Sequence, residues 1–147
     1  MATLKLRIDN EALAQEFFED AVLIGIVAPV KDYLFTWQIN QLLGFNFRLN
    51  NDLEIQLTKK DRKYFFSIFS YQVPGLTLMH YLYNNQHDGE YLLPEFKHLD
   101  FLWLIKGDEQ EPEAIQQLLQ TLRNLPGVQL VLEMTHEKIR NKQHLIF

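Results

Sequence analysis

The stretch "AVLIGIVAPVKDYLFTWQINQLLG", Ala21 to Gly44, changes its period halfway along. From Ala21 to Ala28 it is apolar throughout, interrupted only by Gly25. An apolar run of this length without polar alternation reads as a strand covered on both faces. Pro29 breaks the run. From Lys31 to Leu43 the large side chains recur at helical spacing, and Gly44 supplies a left-handed stop. A strand handing over to a helix calls for a sheet on which that helix can pack.

The helix has two faces that differ in character. With Phe35 as reference and 100° per residue, Ile39, Leu42 and Leu43 fall within about 80° of it. That stripe is enough to seat the helix on a sheet. Tyr33, Trp37 and Asn40 lie on the opposite side. Two readings of that flank stand open. Another element of the domain covers it, for example the segment holding Phe17 and Phe18, or it meets a partner. Tyr and Trp suit the second role, since they bury large area and keep one polar handle.

Downstream, "NFRL" (Asn46–Leu49), "LEIQL" (Leu53–Leu57) and "KYFFSIFSY" (Lys63–Tyr71) read as strands. "TKKDRK" (Thr58–Lys63) is the solvated turn between them. Phe65, Phe69 and Tyr71 fall on one side of their strand, Tyr64, Phe66 and Ile68 on the other, and both sets are expected in the core. Pro74-Gly75 turns the chain into "LTLMHYLYN" (Leu76–Asn84), and "NNQHDG" (Asn84–Gly89) is a loop. A strand is expected over Leu99–Ile105 and a helix over Glu113–Asn124, bounded by Pro112 and by Pro126-Gly127. "VQLVLEM" (Val128–Met134) is a last strand, followed by a helical turn at His136–Asn141. Upstream, "TLKLRID" (Thr3–Asp9) alternates like a strand, and Asn10–Asp20 is a short helix or irregular link. Two strand–helix–strand units thus bracket antiparallel strands. The predicted fold is α+β. It is a two-layer sandwich of two main helices on a mixed, mostly antiparallel sheet, with a ferredoxin-like core and an inserted β-meander as the candidate arrangement.

The chain has 147 residues, a formal charge of -5 and 47% hydrophobic residues, which suits one globular domain over 1–147. It contains no cysteine, so disulfides, thiolate nucleophiles and cysteine zinc sites are excluded. "MATLKLRIDNEAL" lacks the layout of a signal peptide, and "AVLIGIVA" is far short of the roughly 20 residues that span a bilayer. A cytoplasmic protein without a membrane anchor is expected. The negative charge argues against nucleic-acid binding, which wants a basic face.

The segment "LLPEFKHLDFLWLIKG" (Leu92–Gly107) places Glu95 and Asp100 at the entrance of an apolar run. Pro94 fits the start of a strand or a bend before one. On one continuous strand, residues five apart point to opposite faces, so Glu95 and Asp100 are not a paired-carboxylate site unless the chain bends. The structural expectation is that both accept hydrogen bonds from backbone N–H groups or meet a cation such as Lys31 or Arg48. The functional expectation is that they line a site for a ligand or partner.

This segment resembles the signature of the IPExxxVDY family, small bacterial proteins named for that pattern. Leu93, Pro94 and Glu95 stand at its first three positions and Leu99, Asp100 and Phe101 at its last three, with Phe101 replacing the tyrosine. "KDYLFTWQINQLLG" resembles the family's early helix, and the terminal "HLIF" its usual close. The resemblance implies membership and no activity, and Phe101 lacks the hydroxyl that the family's tyrosine carries.

No phosphate-binding loop, dinucleotide fingerprint or HExxH pair is present, and the five histidines are scattered. Ser67 and Ser70 lack a glycine-flanked elbow. No catalytic residue, metal site or cofactor is expected. The reading is a non-enzymatic binding or adaptor module that recognises another protein or itself, with Tyr33, Trp37, Asn40, Glu95 and Asp100 as binding residues. The alternative is a small-ligand domain or enzyme with Glu95, His98 and Asp100 around a pocket.

Overall fold

A computed structural model describes residues 11–107 and 110–147. The strand expected at Thr3–Asp9 lies outside them. The elements run α1 (11–18), β1 (Val22–Val27), α2 (Asp32–Leu43), β2 (Arg48–Lys59), β3 (Arg62–Gln72), β4 (Met79–Asn84), β5 (Gln86–His87), β6 (Glu90–Tyr91), β7 (Phe101–Lys106), α3 (Pro112–Arg123) and β8 (Leu130–Met134). Short 3₁₀ turns occupy Pro94–Phe96, His136–Lys138 and Lys142–Leu145.

Six strands form one sheet in the order β2-β3-β4-β7-β1-β8, and every ladder in it is antiparallel. β1 and β4 both run against β7, so they point the same way, and α2 lies between them in the chain. β7 and β8 both run against β1, and α3 joins them. The order β4-β7-β1-β8 is the ferredoxin-like arrangement, and β2 and β3 are inserted between α2 and β4, widening the sheet at one edge.

The local chemistry explains the joints. Lys60 and Asp61 both take positive φ, the conformation of a two-residue hairpin turn, so the expected solvated turn is a tight one. Of the two segments read as separate strands, Leu53–Leu57 and the last two residues of Asn46–Leu49 belong to one long β2 that bulges between Leu49 and Glu54. Asn50 holds the bulge. Its side chain accepts the Asp52 N–H and donates to the Ser70 hydroxyl. The loop expected at Asn84–Gly89 contains β5, which pairs with β6 across an Asp88-Gly89 turn of positive φ. Asp-Gly is the turn signal that the sequence displayed there.

Both faces of the β4-β7-β1-β8 core are covered. α2 and α3 share one face, where Phe35, Ile39, Ile115, Leu119 and Leu122 pack on Ile24, Ile26, Trp103 and Ile105. The other face is closed by α1 and by irregular chain. Phe18, Leu92, Leu93, Leu99, Ile139 and Leu145 cover Leu23, Leu102, Leu104, Tyr83 and Ile68 there. β1 and β7 are buried on both sides, which is why their sequences show no polar alternation. Gly25 has a steric reason: a Cβ there would stand 2.7 Å from Leu99 Cδ1 and 2.9 Å from Met134 Sδ.

α2 is pinned at three points. Asn84 Nδ2 donates to Asp32 Oδ2, Gln38 Nε2 donates to the Pro126 carbonyl, and Gly44, with φ 71, closes the last turn through its N–H to Asn40. The expected core stripe needs one correction. Phe35 and Ile39 are fully buried, but Leu42 is 60% exposed, because it falls in the final turn, where the chain turns away at Gly44.

Candidate functional site

Two regions gather the residues singled out in the sequence. The first is the loop from Leu92 to Asp100. The strand expected from Leu99 begins at Phe101, and the chain before it bends through the turn that Pro94 opens. Asn85 is the hub of this bend. Its side chain is fully buried, and each polar atom is occupied: Nδ2 donates to the carbonyls of Phe96 and Leu99, and Oδ1 accepts the Leu93 N–H, all at 2.9 Å. Its backbone donates to the Asp100 carbonyl and accepts the Leu92 N–H. One amide therefore holds both ends of the loop. Sequence reasoning passed it over as one more residue of a polar loop.

Asp100 ends the β1–β7 ladder. Its N–H donates to the Ile26 carbonyl, and its Oδ2 accepts the Ala28 N–H at 2.8 Å. The carboxylate stands in for a ladder carbonyl where the chain leaves the sheet. Glu95 faces elsewhere and ties down the C-terminal segment: Oε2 accepts the Asn141 N–H at 2.9 Å and Oε1 accepts Asn141 Nδ2 at 3.0 Å. Burial opposes ionisation of Glu95. The Asn141 amide and the N–H groups of residues 95, 141 and 140 outweigh it and hold the carboxyl below its ordinary range. Both acids thus meet backbone N–H groups, as expected, and not Lys31 or Arg48; Arg48 bonds Asn46. His98 is exposed and stands over Phe96. Glu95 and Asp100 are bound to different parts of the chain, so these two and His98 do not converge as a constellation. Phe101, at the place of the missing tyrosine, stacks on Phe35 with centroids 4.5 Å apart.

The second region is the outer face of α2. Tyr33 is 61% and Trp37 63% exposed. Phe17 and Phe18 do not cover them. Phe18 is buried in the core on the opposite face of the sheet, and Phe17 packs against that same cluster. Asn40 belongs to the fold more than to this face, since its side chain donates to the Phe47 carbonyl and accepts the Phe47 N–H. Val30, Leu34 and Leu42 are also exposed. Beyond α2, on the same side of the sheet, Leu49 on β2 and Phe65 on β3 are open to solvent, although Phe65 reads as core in the sequence.

The remaining polar candidates are structural. His80 is buried among Phe45, Tyr71 and Trp103, and its Nδ1 accepts the Trp103 indole N–H at 2.9 Å. Burial pushes its pKa from 6.5 down to about 4, so it is a neutral acceptor. The Tyr83 hydroxyl donates to the Leu145 carbonyl, and burial pushes its pKa well up. Among the described residues no group of three or more His, Asp or Glu side chains is placed to hold a metal ion. No helix among them is long and apolar enough to cross a membrane.

No protein-family model matches the chain, and no curated protein is significantly similar to it. The likeness to the IPExxxVDY pattern therefore rests on the motif residues themselves. What they do in this chain is visible: Pro94, Glu95 and Asp100 shape and fasten one loop.

Proposed function

We propose that this chain is a non-enzymatic protein-binding module whose contact surface is the outer face of α2, centred on Tyr33 and Trp37. One observation carries the reading. An indole and a phenol stand more than half exposed on a helix whose other side already fills the core. Large aromatic groups in water forfeit burial free energy, at roughly 25 cal/mol per Å², that a partner surface recovers. Asp100 supports the surface indirectly by holding Ala28 at the end of the strand that leads into α2, while Glu95 acts on the far side of the sheet, at Asn141.

The test compares immobilised wild-type chain with Trp37→Ala, probed with proteins of the native host. The two chains are first matched in thermal unfolding, which an exposed substitution leaves within about 0.5 kcal/mol. Wild type retains a defined set of proteins, its own chain included, that the variant loses. Equal retention by both sinks the reading.

A further inference from the structure

We propose that the partner is a second copy of this chain, docked face to face so that each α2 packs on the part of the other's sheet, around Leu49 and Phe65, that no helix covers among the described residues. The inference rests on α2 as a contact surface and adds what covers it.

The first argument is width. Strands lie about 4.8 Å apart and packed helices roughly 8–10 Å apart, so one helix covers about two strands. This sheet has six strands and, on its helix side, two helices. They pack on β1, β7, β4 and β8. The inserted β2–β3 strip carries no helix among the described residues, and there Leu49 is 50% and Phe65 43% exposed, with Glu54, Gln56 and Ser67 in solvent. The strip is two strands wide, about the width of one helix; Phe69 and Tyr71 at its inner end pack against Phe45 and the core, and the open part is that around Leu49, Phe65 and Ser67.

The second argument is the contrast between the helices. α3 turns Glu113, Gln116, Gln117, Gln120 and Arg123 to solvent. α2 has no charged side chain after Asp32, and it presents Tyr33, Leu34 and Trp37 outward. A helix apolar on both sides is one that is buried on both sides.

A two-fold axis satisfies both surfaces at once. It lays the partner's α2 beside this α2, over the β2–β3 strip. The two helices become a middle layer between two sheets, with Phe35 toward the home sheet and Trp37 toward the other. α3, at the far side, keeps its polar surface in water. The contact is isologous and closed. Aromatic side chains carry roughly 150–250 Å² each, so the exposed parts of Tyr33, Trp37, Phe65, Leu34, Leu42 and Leu49 come to on the order of 600 Å² per copy. A standard interface buries about 800 Å² per partner, and the neighbouring polar groups supply the rest.

The experiment uses the whole chain. Light scattering across a concentration series shows a dimer, and Trp37→Glu and Phe65→Glu each give a folded monomer whose thermal unfolding, unlike that of wild type, does not depend on concentration. Because the chain has no cysteine, single cysteines report proximity cleanly. Gln41→Cys mixed with Ser67→Cys, treated with a short bismaleimide, yields covalent dimer several-fold above either variant alone. A wild type that is monomeric throughout overturns the proposal, and so does a dimer indifferent to both glutamate substitutions. A mixture that gives no covalent link between positions 41 and 67 also overturns it. If the monomer still retains a different protein through Trp37, self-association has failed and the binding surface stands; if Trp37→Ala changes no retention, both have failed.

Discussion

Asp100 and Ala28 are joined across 72 residues of sequence by a 2.8 Å hydrogen bond from a backbone N–H to a carboxylate. Ala28 is buried, so without that oxygen its N–H has no water to turn to. Asp100→Ala is expected to cost about 1–3 kcal/mol, the range for an orphaned buried donor. Asp100→Asn keeps an acceptor oxygen and costs less. Urea unfolding of the two variants checks the order. Equal stability of all three chains would show that the carboxylate is not a structural acceptor.

Asn85 has a larger effect in prospect. Asn85→Ala strands two carbonyls and one N–H in the interior at once, a loss on the order of 3–5 kcal/mol. Hydrogen exchange is expected to show the amides of Leu92 and Leu93, which donate to Asn85, opening ahead of the sheet. Exchange in this loop as slow as in wild type would refute the hub.

Acid should weaken the fold through His80. Its pKa is 6.5 in the unfolded reference and about 4 in the folded chain, so between those values the unfolded state binds more protons. Stability therefore falls as pH drops from about 6.5 to 4, by about 3 kcal/mol, and levels off below. Glu95 adds in the same direction at lower pH: its depressed pKa gives stability that is present above the ordinary carboxyl value and lost as pH falls through the folded one. NMR titration of the imidazole together with unfolding curves at each pH measures both. A His80 titrating near 6.5 in the folded chain would remove the effect.

The two tryptophans should report different surroundings. Trp103 is fully buried, while Trp37 is open in the single chain. In dilute Trp103→Phe chain, emission is expected to be red-shifted and quenched by acrylamide. In Trp37→Phe chain it is expected to be blue-shifted and protected. If the face-to-face dimer forms, the Trp37 signal moves blue as concentration rises.

Gly25 leaves no room for a methyl group under Leu99 and Met134. Gly25→Ala is expected to cost about 1–3 kcal/mol through overpacking. Gly25→Ala combined with Leu99→Ala should recover part of that loss, because the nearest obstacle is a Leu99 methyl. A double variant no better than additive would mean that the crowding lies elsewhere. Calorimetry on the three chains decides it.

The sequence showed the architecture because its signals are local. Gly44 and Pro112 punctuate the helices at the residue where they stop or start, and Pro126-Gly127 follow the end of α3 by three and four residues. Apolar runs at Ala21–Ala28 and Phe101–Ile105 identify strands buried on both faces, and these two are neighbours inside the sheet, each with a strand on either side. Strand order was not legible, since it depends on pairings across long separations. Asn85 was not legible for the same reason: an asparagine beside another in a polar stretch looks like loop, and only the folded chain brings Leu93, Phe96 and Leu99 around it. Leu42 and Phe65 were read as core from period alone, which cannot tell that the helix ends or that the sheet outruns its cover. The flank bearing Tyr33 and Trp37 was legible as a question, and its exposure in the folded chain removes Phe17 and Phe18 from the answer.

β1 is flanked by β7 and β8, so the first of the sheet's strands to be synthesised, among the described residues, is enclosed by the last two. During translation it waits, oily on both sides, while the β2–β3 hairpin and β4 emerge and pair among themselves. Nascent chains of this topology spend most of their elongation with a sticky segment unsheltered, and chaperone capture of ribosome-bound intermediates should fall only once β7 has cleared the exit tunnel.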